Sequence, residues 1–275
     1  MKANFHTHSS WCDGRGSPEE LVAAAIAKGF AALGFSSHMA FPVDDGTAIL
    51  PERAAAYAAD VRAAALRHRG EISVYCGGEA DYIPGATDPS RDRYAALDLD
   101  YLIGSIHYVV APDGGRVCVD DTPERLQSEI AAHFDGRPED FVRAYFAAER
   151  EMVARFDFDL VAHPDLVRKF NRRTPYFDES ADWFLKELDQ TADAIAASGK
   201  LVEVNTGAIA RGWLDDAYPS PEFRARLRSR GVRFVLSSDA HSAEGLDAAF
   251  DRYAQAESYV DFRSLIEGRR HGGRA

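Results

Sequence analysis

Short apolar runs of strand character alternate along this chain with amphipathic helical segments. That order constrains the fold more than any other feature, because strands joined through helices run parallel. Candidate strands are KANFH at 2–6, AALGFS at 31–36, ISVYCG at 72–77, YLIGSI at 101–106, FDLVA at 158–162, LVEVNT at 201–206 and RFVLS at 233–237, with SYVDF at 258–262 as a further short one. Helix signals lie between them. Ser17-Pro18-Glu19-Glu20 reads as an N-cap followed by proline and an acidic first turn, Gly29 stops that helix, and Pro51-Glu52 starts a second that runs to Gly70. Phe141, Tyr145, Ala148, Met152 and Phe156 repeat every three or four residues and predict a helix with one buried stripe over 138–156. Segments 178–198 and 221–230 read similarly, ending at Gly199 and Gly231. Stretches 84–95 and 110–137 read as irregular loops. The chain shows neither repeat nor low-complexity linker, so residues 1–275 are expected to form a single α/β domain, a barrel of parallel strands.

The ionisable residues fall on this skeleton unevenly. His6 and His8 end the first strand, where residues two apart face the same way. His38 follows the second strand, Glu79 the third, His107 the fourth, His163 the fifth, and Asp239 and His241 the seventh, while Asp13 reaches back from the loop after the first. Six of the nine histidines thus sit at carboxyl ends of strands, where random placement would put about one or two. In a parallel barrel those ends share one rim, where active sites of this architecture are built. Imidazole and carboxylate without thiolate suit zinc, iron or manganese in a reactive centre. His68, His133 and His271 lie off the rim and are expected to be solvated.

Three cysteines, Cys12, Cys76 and Cys118, make no C-x-x-C and cannot all pair, which fits a reducing compartment. The chain shows neither a signal-peptide pattern nor an apolar run long enough to span a membrane, so a cytoplasmic location is expected and a membrane partner is not. A net charge of −12 disfavours nucleic acid. Nothing in the sequence specifies an oligomeric state.

HTH and CDG at the front, then SSHMAFP, GGEADYIPG, IGSIHY, AHPDLVRKF, EVNTGAIARG with YPSP, and SSDAH resemble the PHP family, named for polymerase and histidinol phosphatase. These stretches span almost the whole chain, and DYIPG and NTG…R…YPSP are most similar to the monofunctional histidinol-phosphate phosphatases. Two positions depart from the pattern: Ser37 stands where relatives often carry an acid, and Ala208-Ile209-Ala210 where Ser-Gly-Leu is frequent.

The resemblance implies a distorted seven-stranded TIM-like (β/α) barrel holding three divalent metal ions (Zn, Mn or Fe) at the carboxyl rim. By matching positions, His6, His8, Glu79 and Asp239 hold one ion, Glu79 bridges to a second held also by His107 and His163, and Asp13, His38 and His241 hold the third. The implied reaction is hydrolysis of L-histidinol phosphate to L-histidinol and phosphate in histidine biosynthesis.

Six positive charges against three carboxylates favour a phosphate dianion; at about 4 Å and an effective dielectric near 20, each unit pair is worth roughly 4 kcal/mol before desolvation. The expected nucleophile is a water bridging two metals that loses its proton and attacks phosphorus in line. Arg168 and Arg211 are candidates to grip the remaining phosphate oxygens, because the guanidinium fork matches them. Lys169 reads as solvated, Cys12 as packing, and Asp81 as an acid able to meet a substrate ammonium. The rival readings are a PHP-type esterase or exonuclease acting on another phosphate ester, a mono- or dinuclear amidohydrolase, which also begins with His-x-His but typically bridges its metals through a lysine, and a metal-binding module that turns nothing over.

Overall fold

Nine strands occur among the described residues: β1 (Ala3–Asn4), β2 (Ala32–Phe35), β3 (Ser73–Asp81), β4 (Tyr101–Ser105), β5 (Tyr108–Val110), β6 (Arg116–Cys118), β7 (Leu160–Val161), β8 (Leu201–Asn205) and β9 (Phe234–Ser237). The computed structural model describes residues 1–41 and 46–272, with side chains as far as 269. Pro42 of the SSHMAFP stretch and the side chain of His271 lie outside the described residues. Seven strands pair in parallel in the order β1-β2-β3-β4-β7-β8-β9, and β5 pairs with β6 as a separate antiparallel hairpin.

The helices are α1 (Pro18–Ala27), α2 (Ala54–Arg67), α3 (Pro123–His133), α4 (Pro138–Arg155), α5 (Asp182–Ser198), α6 (Gly207–Ala210), α7 (Pro221–Ser229), α8 (Phe250–Tyr253) and α9 (Phe262–Gly272). Ser17 and Glu20 close the expected capping box at the start of α1.

The seven-stranded sheet curls into a distorted (β/α)7 barrel that is nearly closed. β1 and β9 are not paired along their length. They meet through an isolated parallel bridge between Thr7 and Ala240, where the His8 amide donates to the Ala240 carbonyl at 2.8 Å and the Ala240 amide to the His6 carbonyl at 3.2 Å. The seam is therefore fastened at the carboxyl rim, between the two segments that carry His6, His8, Asp239 and His241.

Alternation along each strand divides the side chains. Leu33, Phe35, Val161, Val202 and Val204 join the layer shared with the helices, whereas Phe5, Tyr75, Tyr101, Ile103, Leu160, Leu201 and Val235 fill the barrel interior together with Phe262 and Ile266 of α9. Tyr101 lies where a Cβ on Gly34 or Gly77 would meet its ring or hydroxyl at 2.4 Å, and its hydroxyl donates to the carbonyls of Phe5 and Phe35. Those glycines read as strand breakers in sequence, yet β3 continues through Gly77 and Gly78 to Asp81. The extension carries Glu79 and Asp81 inward, in phase with Tyr75.

Three expectations about elements change. Residues 110–137 are not an irregular loop: they complete the β5–β6 hairpin around Asp113-Gly114-Gly115 and form α3, which starts at a Thr122 N-cap. Residues 84–95 include the start of a 3₁₀ turn over Arg91–Leu97. SYVDF makes only a single bridge, Tyr259 to Phe234, before α9 begins.

Candidate metal centre

His6 and His8 do converge, with ring centroids 5.2 Å apart, though not as members of an unbroken strand. β1 ends at Asn4, and Phe5 and His6 both turn inward, Phe5 into the aromatic interior and His6 onto Glu79 and Glu203. Two consecutive inward side chains require that break.

Glu79, 1 % exposed, stands at the centre of the rim. Its Oε2 lies 3.1 Å from His6 Nε2, 3.4 Å from His8 Nε2 and 3.2 Å from His38 Nδ1. Its Oε1 lies 3.2 Å from His163 Nε2 and 3.8 Å from His107 Nε2. One carboxylate thus faces two separate imidazole groups. Asp239 Oδ1 lies 3.7 Å from His6 Nε2 and 3.2 Å from His8 Nε2. Asp13 Oδ2 lies 3.2 Å from His241 Nε2 and 4.0 Å from His38 Nε2, and Asp13 Oδ1 lies 3.5 Å from His8 Nδ1.

Three sets of residues bring ligand atoms within 4.8 Å of one another: His8, Asp13, His38 and His241; His6, His8 and Glu79; and His38, Glu79 and His107. His163 and Asp239 border these sets without joining one.

The donor atoms have the disposition a cation requires. His6 Nε2, His8 Nε2, His38 Nδ1 and Glu79 Oε2 are buried and make no hydrogen bond among the described residues, although they crowd within van der Waals range. Ligand atoms set tetrahedrally around an ion at 2.0–2.2 Å stand about 3.3–3.6 Å apart, close to the separations here. Unpaired buried polar atoms otherwise carry a full desolvation penalty.

Glu79 and His8 already carry the protonation state that binds a cation, whereas the acids around His107 keep it protonated until one enters. Burial alone would raise the Glu79 carboxyl, but His6, His38 and His107 hold it well below the usual range. Burial also opposes charge on His107, yet Asp81 and Glu79 push its pKa up to about 10. His8, buried against His241 and His38, is pushed down to about 3.

Groups behind the ligands fix their orientation. Glu203 Oε2 lies 2.9 Å from His6 Nδ1, leaving Nε2 directed at Glu79, while its Oε1 accepts from the His163 amide and from Asn205 Nδ2. Asp81 accepts from the His107 amide at 2.9 Å and lies 3.0 Å from His107 Nδ1, so it is occupied and does not stand ready for a substrate ammonium. Glu203 escaped the sequence reading; the available signal was an acid two positions beyond Leu201 in an otherwise apolar strand. Ser37 Oγ sits 3.2 Å from Ser9 Oγ, behind His38.

Asp239 adopts φ +50, the left-handed region costly for a side chain with a Cβ. That turn directs Oδ1 to the histidines and Oδ2 to Arg211 Nη2, 2.8 Å away. A Cβ on Gly207 would meet Arg211 Nη2 at 2.7 Å and Asp239 Oδ2 at 3.0 Å, so the glycine of NTG makes room for this pair. Gly14 of CDG serves likewise, since a Cβ there would strike the His8–Ser9 backbone at 2.5 Å.

A cavity of about 410 Å³ opens over the cluster, walled by Phe41, Tyr108, Asp120, Lys169 and Arg211 among others. Arg168 does not line it. Its Nε donates to Glu179 at 2.6 Å, and its terminal nitrogens lie 3.5 Å from Asp165 and 3.7 Å from Asp216. The 3₁₀ turn Leu166–Arg168 rotates successive side chains by about a third of a turn, so Lys169 enters the cavity instead. Lys169 is 9 % exposed and donates to Asp120, correcting the expectation that it is solvated.

Cys12 packs beside His8 with its thiol pushed up to about 11 by burial and Asp13, as befits a packing role. His68 is not simply solvated, since it pairs with Glu19 at 2.7 Å; His133 pairs with Asp113 at 2.9 Å.

Residues 4–207 match the PHP domain family. A Deinococcus radiodurans protein named "Probable histidinol-phosphatase" is 30 % identical over 242 residues, covering 86 % of this chain and 85 % of that protein. The crystal structure of a candidate histidinol phosphatase from Listeria monocytogenes superposes with a TM-score of 0.77 at 16 % identity, over 92 % of this chain and 100 % of that one. Histidinol phosphate phosphatase from Lactococcus lactis, crystallised with zinc, L-histidinol and phosphate, gives a TM-score of 0.62 at 20 % identity over 94 % of each chain.

Proposed function

The chain belongs to the PHP domain family, and from that premise we propose that it is a metal-dependent histidinol-phosphatase, hydrolysing L-histidinol phosphate to L-histidinol and phosphate. The observation that carries this reading is the division of Glu79: one buried carboxylate faces His6, His8 and His38 with one oxygen and His107 and His163 with the other. A bridging ligand between two cations has this disposition.

Three divalent ions fit the donor groups. His6, His8, Glu79 and Asp239 would hold the first, Glu79, His107 and His163 the second, and Asp13, His38 and His241 the third. The nitrogen and oxygen donors suit zinc, manganese or iron. Ions bound there supply Lewis acidity, activating water and neutralising charge on the phosphoryl group. The chain itself provides orientation: Glu203 and Asp81 fix the imidazoles of His6 and His107, and Asp239 holds Arg211 at the cavity wall, where its side chain is 32 % exposed and presents N–H groups to a phosphate oxygen. Arg168, saturated by three carboxylates, has no such role. A protein nucleophile is disfavoured, because Cys12 resists ionisation and Ser9 is paired with Ser37.

Residues 1–275 act as one phosphatase domain on a small-molecule monoester in the cytoplasm, without a nucleic-acid partner. The net charge of −12 disfavours a polynucleotide, and none of the helices described is long and apolar enough to cross a membrane. The test is a steady-state comparison of L-histidinol phosphate with a panel of phosphomonoesters and a short single-stranded DNA, with manganese, zinc or iron supplied. Preference for L-histidinol phosphate is expected; a flat panel or cleavage of the DNA overturns the assignment. Arg211→Ala is expected to lose activity with metal content unchanged, whereas a module that only binds metal shows no turnover in either form.

A further inference from the structure

We infer that the ion pair between Lys169 and Asp120 holds the place of a zwitterionic substrate: on binding, the phosphoryl group takes Lys169 and the substrate's ammonium takes Asp120, which makes Asp120 the specificity-determining residue for the amine. The inference rests on the phosphatase reading above.

Lys169 Nζ donates to the Asp120 carbonyl at 2.5 Å and to its Oδ2 at 3.1 Å. Both residues line the cavity over the metal cluster, and the Asp120 side chain keeps 27 % of its surface open. The pair joins two separate crossovers, Asp120 following the β5–β6 hairpin and Lys169 following the 3₁₀ turn after β7.

The other acids lining the cavity are already committed. Asp13 and Asp239 face the imidazoles, and Asp121 is paired along its own helix start with Arg125 at 3.0 Å. Of the two ion pairs lining the cavity outside the histidine cluster, Lys169 and Asp120, with side chains 11 % and 27 % exposed, are the more deeply buried, whereas Arg125 and Asp121 stand 40 % and 47 % exposed. A phosphate ester without an amine that draws Lys169 away strands Asp120 in a half-buried position, and an unpaired charge there is costly. L-histidinol phosphate carries its ammonium on the carbon next to the ester methylene, about 4–5 Å from phosphorus by standard bond lengths. It therefore satisfies both members of the pair at once, while Phe41 and Tyr108, with ring centroids 5.6 Å apart, offer an apolar wall to its imidazole.

The experiment compares the metal-loaded wild type with Asp120→Asn on L-histidinol phosphate and on phenyl phosphate, which lacks the amine. The ratio of the two kcat/KM values is expected to fall about 30- to 100-fold, the loss typical of removing one partner of a desolvated charge pair. Calorimetric titration with L-histidinol in the presence of phosphate should show weaker binding, by about tenfold or more. A ratio within about threefold of wild type, or unchanged L-histidinol affinity, overturns the inference. Asp120→Glu should recover part of the ratio, and a folded Asp120→Glu whose ratio is no higher than that of Asp120→Asn overturns the inference; if thermal melts show Asp120→Asn unfolded, Asp120→Ser takes its place under the same criteria. A wild type that prefers L-histidinol phosphate while Asp120→Asn keeps that preference sinks this inference alone. A flat wild-type panel removes the phosphatase assignment and the inference with it.

Discussion

Below Gly77 the barrel interior is apolar, with its few polar atoms paired, whereas above it the same strands point carboxylates and imidazoles inward, several unpaired. In the lower half Phe5 meets Phe262 and Tyr101 edge to face at 5.0 and 5.9 Å, and the Tyr101 hydroxyl is satisfied by two carbonyls. In the upper half four buried donor atoms of His6, His8, His38 and Glu79 find no hydrogen bond. The difference teaches that one scaffold divides its tasks by height: the lower half contributes stability through burial and aromatic packing, and the upper half gives stability up to hold a site that a cation completes.

The most forceful way to break this contrast is Glu79→Gln. Activity should fall by about 10²- to 10³-fold, the range for losing one preorganised electrostatic group, and elemental analysis should show less bound metal. Phe262→Ala attacks the other half. It should cost about 3–5 kcal/mol in denaturant unfolding, with metal content and kcat of the still-folded enzyme unchanged. Loss of metal in Phe262→Ala would mean the halves are not separable.

A smaller effect is expected at the boundary. Glu203→Gln loosens the orientation of His6 and His163 and should weaken metal affinity by about 10- to 100-fold in a competition titration with a chelating dye.

The smallest concerns Glu149 on α4, a fully buried carboxyl with neither oxygen hydrogen-bonded among the described residues. Burial, aided by Asp165, pushes its pKa well above the usual range. The folded state then binds a proton that the unfolded chain releases above about pH 4.3, so stability is intact below that pH and declines as pH rises toward the folded pKa. Glu149→Gln should remove the decline, giving a Tm advantage over wild type at pH 8 that vanishes near pH 4. An equal advantage at both pH values would point to packing instead.

Much of this was legible in the chain itself. Short apolar runs marked all seven barrel strands, and histidines at their carboxyl ends marked the rim, because a parallel barrel necessarily gathers those ends. The hairpin and α3 were not legible as such: Asp113-Gly114-Gly115 and Thr122-Pro123 are turn and cap signals that also occur in loops. β3 outran its expected end because Gly77 and Gly78, breakers by propensity, are required by the bulk of Tyr101 and Met39 against them.

Residue type and spacing alone determined which groups exist to bind metal and on which edge of the sheet they emerge, since both follow from local periodicity. Only the tertiary structure decided how Glu79 divides its oxygens, that Asp81 serves His107, and that Lys169 rather than Arg168 enters the cavity. Those outcomes depend on distances between segments far apart in sequence and on rotation within a single short turn, and local periodicity carries neither.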